Sequence, residues 1–334
     1  MINAMQQEPA TSPQPQSPAP PSTNGQNEQF FASIAPGPDK PLPEPCRAMA
    51  KAVLDYEKET QKPCFMALHR DRSDQDEDYV SDELCERFVS SRGHIRSEKG
   101  MTLVLHTGGG DPHAAYRIAL ILQKAGGFDA VIPKMAKSAG TLMVLGAKRI
   151  IMGDLAELGP LDMQVKDSES EQWDSALNET KSLQTLSREA LLLYSSKLEL
   201  LNMMHMGKSF QTRSKIATEF VNEMIRPLVE KIGAVHYTKM ARIMEIMKAY
   251  GKQLLLRSGG YNAGRATMIV DALGENFPDH AYIIDAREAK HLGLRVEPPK
   301  ANVVSLIESV FEKCGDVNII GRITSSNNST SQQS

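Results

Sequence analysis

The chain of 334 residues has few cysteines and almost no excess charge of either sign. Its four cysteines, Cys46, Cys64, Cys85 and Cys314, lie far apart and lack the paired spacing of a metal site. We expect them to be reduced thiols of a cytoplasmic protein. The formal net charge is −3 and no basic stripe is present, which argues against nucleic acid as a partner.

The chain also lacks a long hydrophobic run. No stretch reaches the roughly 18 consecutive apolar residues of a membrane-spanning helix. Residues 1–40 are rich in Gln, Pro, Ser and Asn, and they contain neither the basic nor the apolar segment of a signal peptide. We therefore expect residues 1–40 and 323–334 to be disordered tails, and we expect no membrane insertion.

A glycine turn follows the first clear buried strand. Met101–Leu105 is a short apolar run, and His106-Thr107-Gly108-Gly109-Gly110 comes directly after it. Asp111 and Pro112 then form the N-cap and first turn of a predicted helix. Glycines at this place let a substrate carbonyl approach the main chain, and a positive φ can turn an N–H toward it. Glycine turns of this kind also bind phosphates.

A second strand-to-helix turn carries Ser138. Residues 130–135 are predicted to form a strand and 139–147 an apolar helix of small residues. A serine at this position is commonly an N-cap, whose hydroxyl accepts a hydrogen bond from the helix. If the two strands are parallel neighbours, both turns lie at one edge of the sheet. The amide of Ala139 and that of Gly109 or Gly110 would then flank one carbonyl oxygen, as acyl transfer requires.

The order of these motifs resembles the Clp-protease/crotonase superfamily. It is most similar to the signal-peptide-peptidase-like branch called the serine dehydrogenase proteinase family. Three short patterns match: His-Thr-x-Gly-Gly at the glycine turn, Ser-x-Gly at the serine, and Leu-Gly-Pro-x-Asp after the next strand. Gly108 stands where that family usually has proline. The matching residues are His106, Thr107, Gly109, Gly110, Ser138, Gly140, Leu158, Gly159, Pro160 and Asp162.

The resemblance implies an α/β fold with a Clp/crotonase-like repeated ββα core, a mainly parallel sheet and an inserted arm of long helices. We assign residues 41–172 to the core, 173–260 to the helical arm and 261–322 to the completion of the core. His280–Asp285 and the helix that follows resemble the closing strand and helix of the family. The resemblance also implies a homo-oligomer with contacts through the arm, and a peptide or protein substrate bound as an added strand.

Three classes of function are compatible with the sequence. The first is a serine peptidase with Ser138 as nucleophile and the amides of Gly109, Gly110 and Ala139 as the oxyanion hole. The second is a catalytically inactive Clp-fold scaffold or binding protein. The third is a crotonase-like acyl-CoA enzyme, which uses a similar pair of amides to polarise a thioester. None of these interpretations predicts a cofactor or a metal.

The general base is not identified by the sequence. Clp proteases place a histidine on the strand after the nucleophile helix, and residues 157–161 contain none. The signal-peptide-peptidase branch instead uses a lysine from a downstream helix, which indicates Lys181. Helical phase places Lys181 away from the apolar stripe of Leu183 and Leu186, where we expect it to face solvent.

Other residues remain open as the base. Lys166 and Lys197 are weaker lysine alternatives on the same downstream segment. His106 ends the strand before the glycine turn, and His280 lies in the closing motif near Asp285, so either imidazole is a further alternative.

Overall fold

The structure is a computed structural model. It describes residues 28–33, 40–71, 79–92, 95, 97–162, 164–166, 173–204, 207, 209–230 and 234–327.

One mixed sheet of eight strands is the centre of the described structure. Five strands run parallel and three are added antiparallel at one side. The predicted α/β fold with a mainly parallel sheet is therefore confirmed. In order across the sheet, the strands are β11 (Val296–Glu297), β7 (Arg149–Met152), β5 (Phe128–Ile132), β4 (Met101–His106), β3 (Cys64–Leu68), β12 (Ile319–Asn327), β1 (Glu28–Ser33) and β2 (Lys40–Pro41).

Two small pairs of strands lie outside this sheet: β6 (Met135–Ala136) with β8 (Glu157–Leu158), and β9 (Gln164–Lys166) with β10 (Trp173–Ser175). A 3-10 turn, Glu44–Cys46, precedes the first helix. The helices are α1 (Arg47–Thr60), α2 (Asp82–Ser91), α3 (Pro112–Lys124), α4 (Ala139–Val144), α5 (Ala176–Met203), α6 (Phe210–Val229), α7 (Ala234–Ser258), α8 (Ala263–Glu275), α9 (Ala286–His291) and α10 (Ala301–Phe311).

Helices cover both faces of the parallel strands. Because successive side chains of a strand point to opposite faces, Leu103 and Leu105 pack with α2, α3, α4 and α8. Val104 packs on the other face, with α1 and α10. Each strand from β3 to β5 is buried along its whole length, which explains why these strands are continuous apolar runs in the sequence.

The ends of the chain differ from the sequence interpretation. Glu28–Ser33 pairs antiparallel with β12, for example Phe30 with Ser325. Residues 28–33 and the part of β12 from residue 323 onward fall in the stretches expected to be disordered tails. The composition of these stretches is polar, but strand pairing is made by backbone groups and joins segments far apart in the chain. The remaining residues of both stretches, 1–27, 34–39 and 328–334, lie outside the described residues.

The strand expected over His280–Asp285 is wrong. The Tyr282 amide donates to the Asp279 carbonyl and closes a turn. Only Ile284 makes a bridge, antiparallel to Leu158. Asp285 is the N-cap of α9, with its side chain accepting from the Glu288 amide. Turn formation by Asp279 competes with an extended backbone here.

The long helices pack in series, because α5 contacts both α6 and α7. Helix α7 packs against α3, α4 and α8, so its methionines Met240, Met244 and Met247 are buried core residues. Helices α5 and α6 pack against each other and expose large apolar side chains. Among the described helices, none combines the length and the apolar character needed to cross a membrane. The exposed large apolar side chains on α5, α6 and the connection between them include Leu191, Leu192, Leu200, Met203, Met204, Phe210 and Met224.

Candidate active site

The glycine turn and the Ser138 turn lie side by side at the carboxyl ends of β4 and β5. These strands are parallel neighbours, as the sequence predicted. Beyond them, the Thr107 amide donates to the Met135 carbonyl at 3.1 Å, and the Lys137 amide donates to the Thr107 carbonyl at 3.0 Å. These two hydrogen bonds fix the position of Ser138 relative to the glycines.

Ser138 has a strained backbone. Its φ of 48° and ψ of −113° are rare for a residue with a side chain. The hydroxyl makes no capping hydrogen bond to α4, so the N-cap interpretation is wrong. Instead it donates to the main-chain carbonyl of Asp162. A sharp, strained turn between a strand and a helix is the geometry that exposes a nucleophilic serine in other hydrolase folds.

Small and polar side chains hold this turn in place. A Cβ on Gly140 would lie 2.5 Å from the Thr107 methyl carbon, so only glycine fits there. The Thr141 hydroxyl is buried, lies 2.8 Å from the Ala136 carbonyl and accepts from the Gly159 amide at 3.1 Å. Thr141 therefore ties α4 to the Leu-Gly-Pro-x-Asp segment. This role was not predicted from the sequence, although a threonine inside a helix of small apolar residues is a signal for it.

The glycine turn presents main-chain amides. Val80 donates to the Gly109 carbonyl at 2.9 Å and accepts from the Asp111 amide at 2.7 Å. Because these bonds flank Gly110, the N–H and C=O of Gly110 itself face away from Val80. The Gly109 amide donates to Thr107 Oγ1 at 3.1 Å. Within the described residues, the Gly110 and Ala139 amides have no hydrogen-bond acceptor.

Two of the three glycines of the turn, Gly109 and Gly110, are required by their surroundings. A Cβ on Gly110 would lie 2.2 Å from the Val80 carbonyl oxygen, so the close approach of Val80 requires glycine there. A Cβ on Gly109 would lie 3.0 Å from Ser138 Cβ and 3.5 Å from its Oγ. Gly108 is exposed, and a Cβ there would meet no atom within 4 Å. The contact of Val80 with the glycine turn was not predicted from the sequence.

Lys181 is half-buried, and its ammonium group donates to the Phe277 carbonyl. The expectation that it faces solvent is wrong, because the segment after α8 covers that side of α5. Among the described residues, no hydrogen bond joins Lys181 to Ser138. Lys137 is the neighbour of Ser138 in the chain, but its Nζ lies 3.2 Å from Glu157 Oε1 and 3.3 Å from the Tyr282 carbonyl.

His106 is fully buried on the other face of the sheet. Strand alternation directs it opposite to Thr107, whose methyl group contacts the Ser138 turn. Its Nε2 lies 3.1 Å from Asp71 Oδ1, and Asp71 Oδ2 accepts from Lys134 at 3.3 Å. Burial lowers the pKa of His106, and the nearby Asp71 carboxylate only partly opposes this shift.

The remaining alternatives for the base are His280, Lys197 and Lys166. His280 Nδ1 lies 3.1 Å from Asp279 Oδ1, in the turn that contains Tyr282. The Lys197 ammonium lies 4.5 Å from the centre of the Phe220 ring, in the packing of α5 on α6. The side chain of Lys166 lies outside the part that the structure describes. Among the described residues, no group of three His, Cys, Asp or Glu side chains could hold a metal ion.

Residues 79–219 match the model of the ClpP-like SDH-type serine proteinase family. The resemblance to the serine dehydrogenase proteinase family is confirmed. The match includes the glycine turn, the Ser138 turn, all of α5 and the first half of α6. At the level of the family, this supports a serine peptidase.

A curated protein that is similar to part of this chain has no assigned function. An uncharacterized protein of Methanocaldococcus jannaschii is 34% identical over 123 residues. The alignment covers 34% of this chain and 43% of that protein. The chain therefore spans less than half of the length of the curated relative that it matches.

Proposed function

We propose that this protein is a serine peptidase and that Ser138 is its nucleophile. The observation that carries the proposal is the strained backbone of Ser138, with a positive φ, in contact with a glycine turn. Strain of this kind persists only where the surrounding structure holds it, and it is concentrated at functional sites. An N-cap serine would need neither the strain nor the glycines.

The oxyanion hole consists of the Gly110 and Ala139 amides in this proposal. Both lack an acceptor among the described residues, whereas the Gly109 amide is already bonded to Thr107. Ser138 Oγ attacks the carbonyl carbon of the peptide, and the carbonyl oxygen becomes an anion that the two amides stabilise. The C–N bond then breaks and the amine leaves with a proton. Water hydrolyses the acyl-enzyme and regenerates the serine.

Lys181 is our choice for the general base. It is half-buried, and among the described residues its Nζ donates to the main-chain carbonyl of Phe277. A neutral amine could take the Ser138 proton and return it to the leaving amine. His106 is disfavoured because it faces the other side of the sheet. His280 remains an alternative, as does a residue of a neighbouring subunit.

The substrate is a peptide or protein in this proposal. Gly108 is exposed and has open space around it, so the glycine turn offers its outer edge to an extended chain. We further propose a homo-oligomer with contacts through α5 and α6, because these helices expose large apolar side chains. The cytoplasmic location also stays a prediction.

Hydrolysis of a quenched fluorescent peptide library tests the proposal. Ser138→Ala should abolish turnover, because it removes the nucleophile. Ser187→Ala is the matched control on the exposed side of α5, and it should keep full activity. Equal turnover of Ser138→Ala and the unaltered protein would rule out this nucleophile. Turnover of an acyl-CoA thioester but of no peptide would favour the crotonase-like alternative.

A further inference from the structure

A cavity of about 920 Å³ lies at the edge of the sheet opposite to Ser138. Its walls include the first residues of four parallel strands. These are Met101 of β4, Phe128 of β5, Arg149 of β7 and Val296 of β11. The C-terminal end of α7 closes one side. The cavity is therefore formed at the amino ends of the parallel strands, whereas the candidate active site lies at their carboxyl ends.

The lining of this cavity is strongly basic, although the whole chain has a net charge of −3. Six cationic side chains and two carboxylates contribute to the walls. The carboxylates are Asp129 and Glu297. The cations are Lys62, Lys99, Lys148, Arg149, Arg257 and Arg295.

Both carboxylates are already paired with two of the cations. Asp129 Oδ2 lies 2.9 Å from Lys62 Nζ and 2.6 Å from Arg149 Nη2. Glu297 Oε2 lies 3.4 Å from Arg149 Nη1. Burial alone would raise the pKa of Asp129, but the hydrogen bonds from Arg149 and Lys62 lower it. Asp129 is therefore ionised in its pairs.

The other four cations have no carboxylate partner among the described residues. Lys148 donates to the Gly126 carbonyl at 2.8 Å, and Arg295 donates to the Gly259 carbonyl at 3.1 Å. Lys99 and Arg257 are exposed, and neither side chain makes a hydrogen bond or an ion pair with another described residue. Like charges around one concave space repel each other and create a positive potential that a bound anion relieves.

We propose that this cavity binds a small molecule that carries a chain of two or three phosphate groups. A chain of phosphates carries several negative charges, which balance the four cations without a carboxylate partner better than one carboxylate does. An arginine guanidinium also binds two phosphate oxygens at once. Gly259 lines the wall and a Cβ there would meet no atom within 4 Å, so the main chain at this position is open to a ligand. The cavity volume of about 920 Å³ is large enough to hold a molecule of the size of a nucleotide.

The ligand is either a free oligophosphate or the phosphate chain of a nucleotide. Among the described lining residues, the one aromatic side chain is Phe128, which is buried. A base therefore has no exposed aromatic ring to stack on among these residues, and the phosphates are the recognised group.

Isothermal titration calorimetry with inorganic tripolyphosphate tests the proposal, at roughly physiological ionic strength where weak surface attraction is screened. We expect one site per chain, and a loss of affinity of about tenfold or more in the double variant Lys99→Gln/Arg257→Gln. Lys239→Gln is the matched control, because Lys239 is an exposed lysine of α7, about 27 Å along the helix from Arg257. This control should bind like the unaltered protein.

Parallel titrations distinguish the sources of the phosphate chain. Equal affinity for ATP and tripolyphosphate supports recognition of the phosphates alone, and tighter binding of ATP supports a nucleotide. Tighter binding of hexaglutamate than of either phosphate would overturn the proposal. Absence of binding would overturn it as well, and so would an equal loss in Lys239→Gln. Melting temperatures confirm that each variant is folded.

Discussion

Gly109 and Ser138 are in direct contact across the two strand-to-helix turns. A Cβ on Gly109 would lie 3.0 Å from Ser138 Cβ, so the glycine turn leaves room for the serine side chain. Gly109 also has a φ of 125°, which residues with side chains rarely adopt. The same residue thus provides both the shape of the turn and the access to Ser138.

Gly109→Ala is expected to abolish peptide hydrolysis while the protein still folds. The new methyl group would press on Ser138, and the positive φ would cost about 1–2 kcal/mol of stability. The measurement is turnover together with the free energy of unfolding from urea titration. Gly108→Ala is the control, because its Cβ meets no atom within 4 Å. Unchanged turnover in Gly109→Ala would show that this contact does not matter for catalysis.

The identity of the base can be read from the pH dependence of hydrolysis. If Lys181 is the base, the rate rises toward alkaline pH as an amine loses its proton, and Lys181→Met removes nearly all activity. If an imidazole is the base, the rise centres near pH 6–7. Full activity in Lys181→Met would eliminate our choice. His280→Gln and His106→Gln then separate the two histidines, and full activity in all three directs the search to Lys166, Lys197 or a neighbouring subunit.

The buried His106 should make the fold sensitive to acid. Its pKa is lowered in the folded protein, chiefly by burial, so the unfolded chain binds the proton at a higher pH than the folded one. The stability that neutral His106 contributes is complete above its unfolded pKa of about 6.5. It is lost as the pH falls from there toward the lower folded pKa.

Urea titrations between pH 7.5 and 5 measure this effect. His106→Gln should flatten the decline in unfolding free energy with falling pH. His291→Gln is the control, because His291 is exposed and contacts the main-chain carbonyl of Arg287. An equally steep decline in His106→Gln and the unaltered protein would assign the acid sensitivity to other groups.

The apolar surface of the helical arm predicts self-association. Leu191 and Phe210 have exposed fractions of 66% and 60%, which is unfavourable for side chains of this size unless a second copy covers them. Leu191→Lys/Phe210→Lys should lower the mass measured by light scattering, and Lys215→Gln on the same arm should not. A monomeric unaltered protein would contradict the oligomer.

The sequence predicted the parts of the site that are encoded locally. The two turns, their neighbouring strands and the contact of Ser138 with a glycine follow from short motifs and from the rule that parallel strands end at one edge. It did not predict the surroundings of Lys181, because the Phe277 carbonyl that holds it comes from 96 residues further along the chain. The pairing of Glu28–Ser33 with β12 was missed for the same reason.

Labelling with a fluorophosphonate tests the central claim most directly, because the reagent modifies a serine only when it is both nucleophilic and next to an oxyanion hole. Mass spectrometry of the digested protein locates the modified residue. We predict modification at Ser138, and none in Ser138→Ala or in protein unfolded beforehand. Folded protein that stays unlabelled, or that is labelled at another serine with Ser138 intact, would contradict the account.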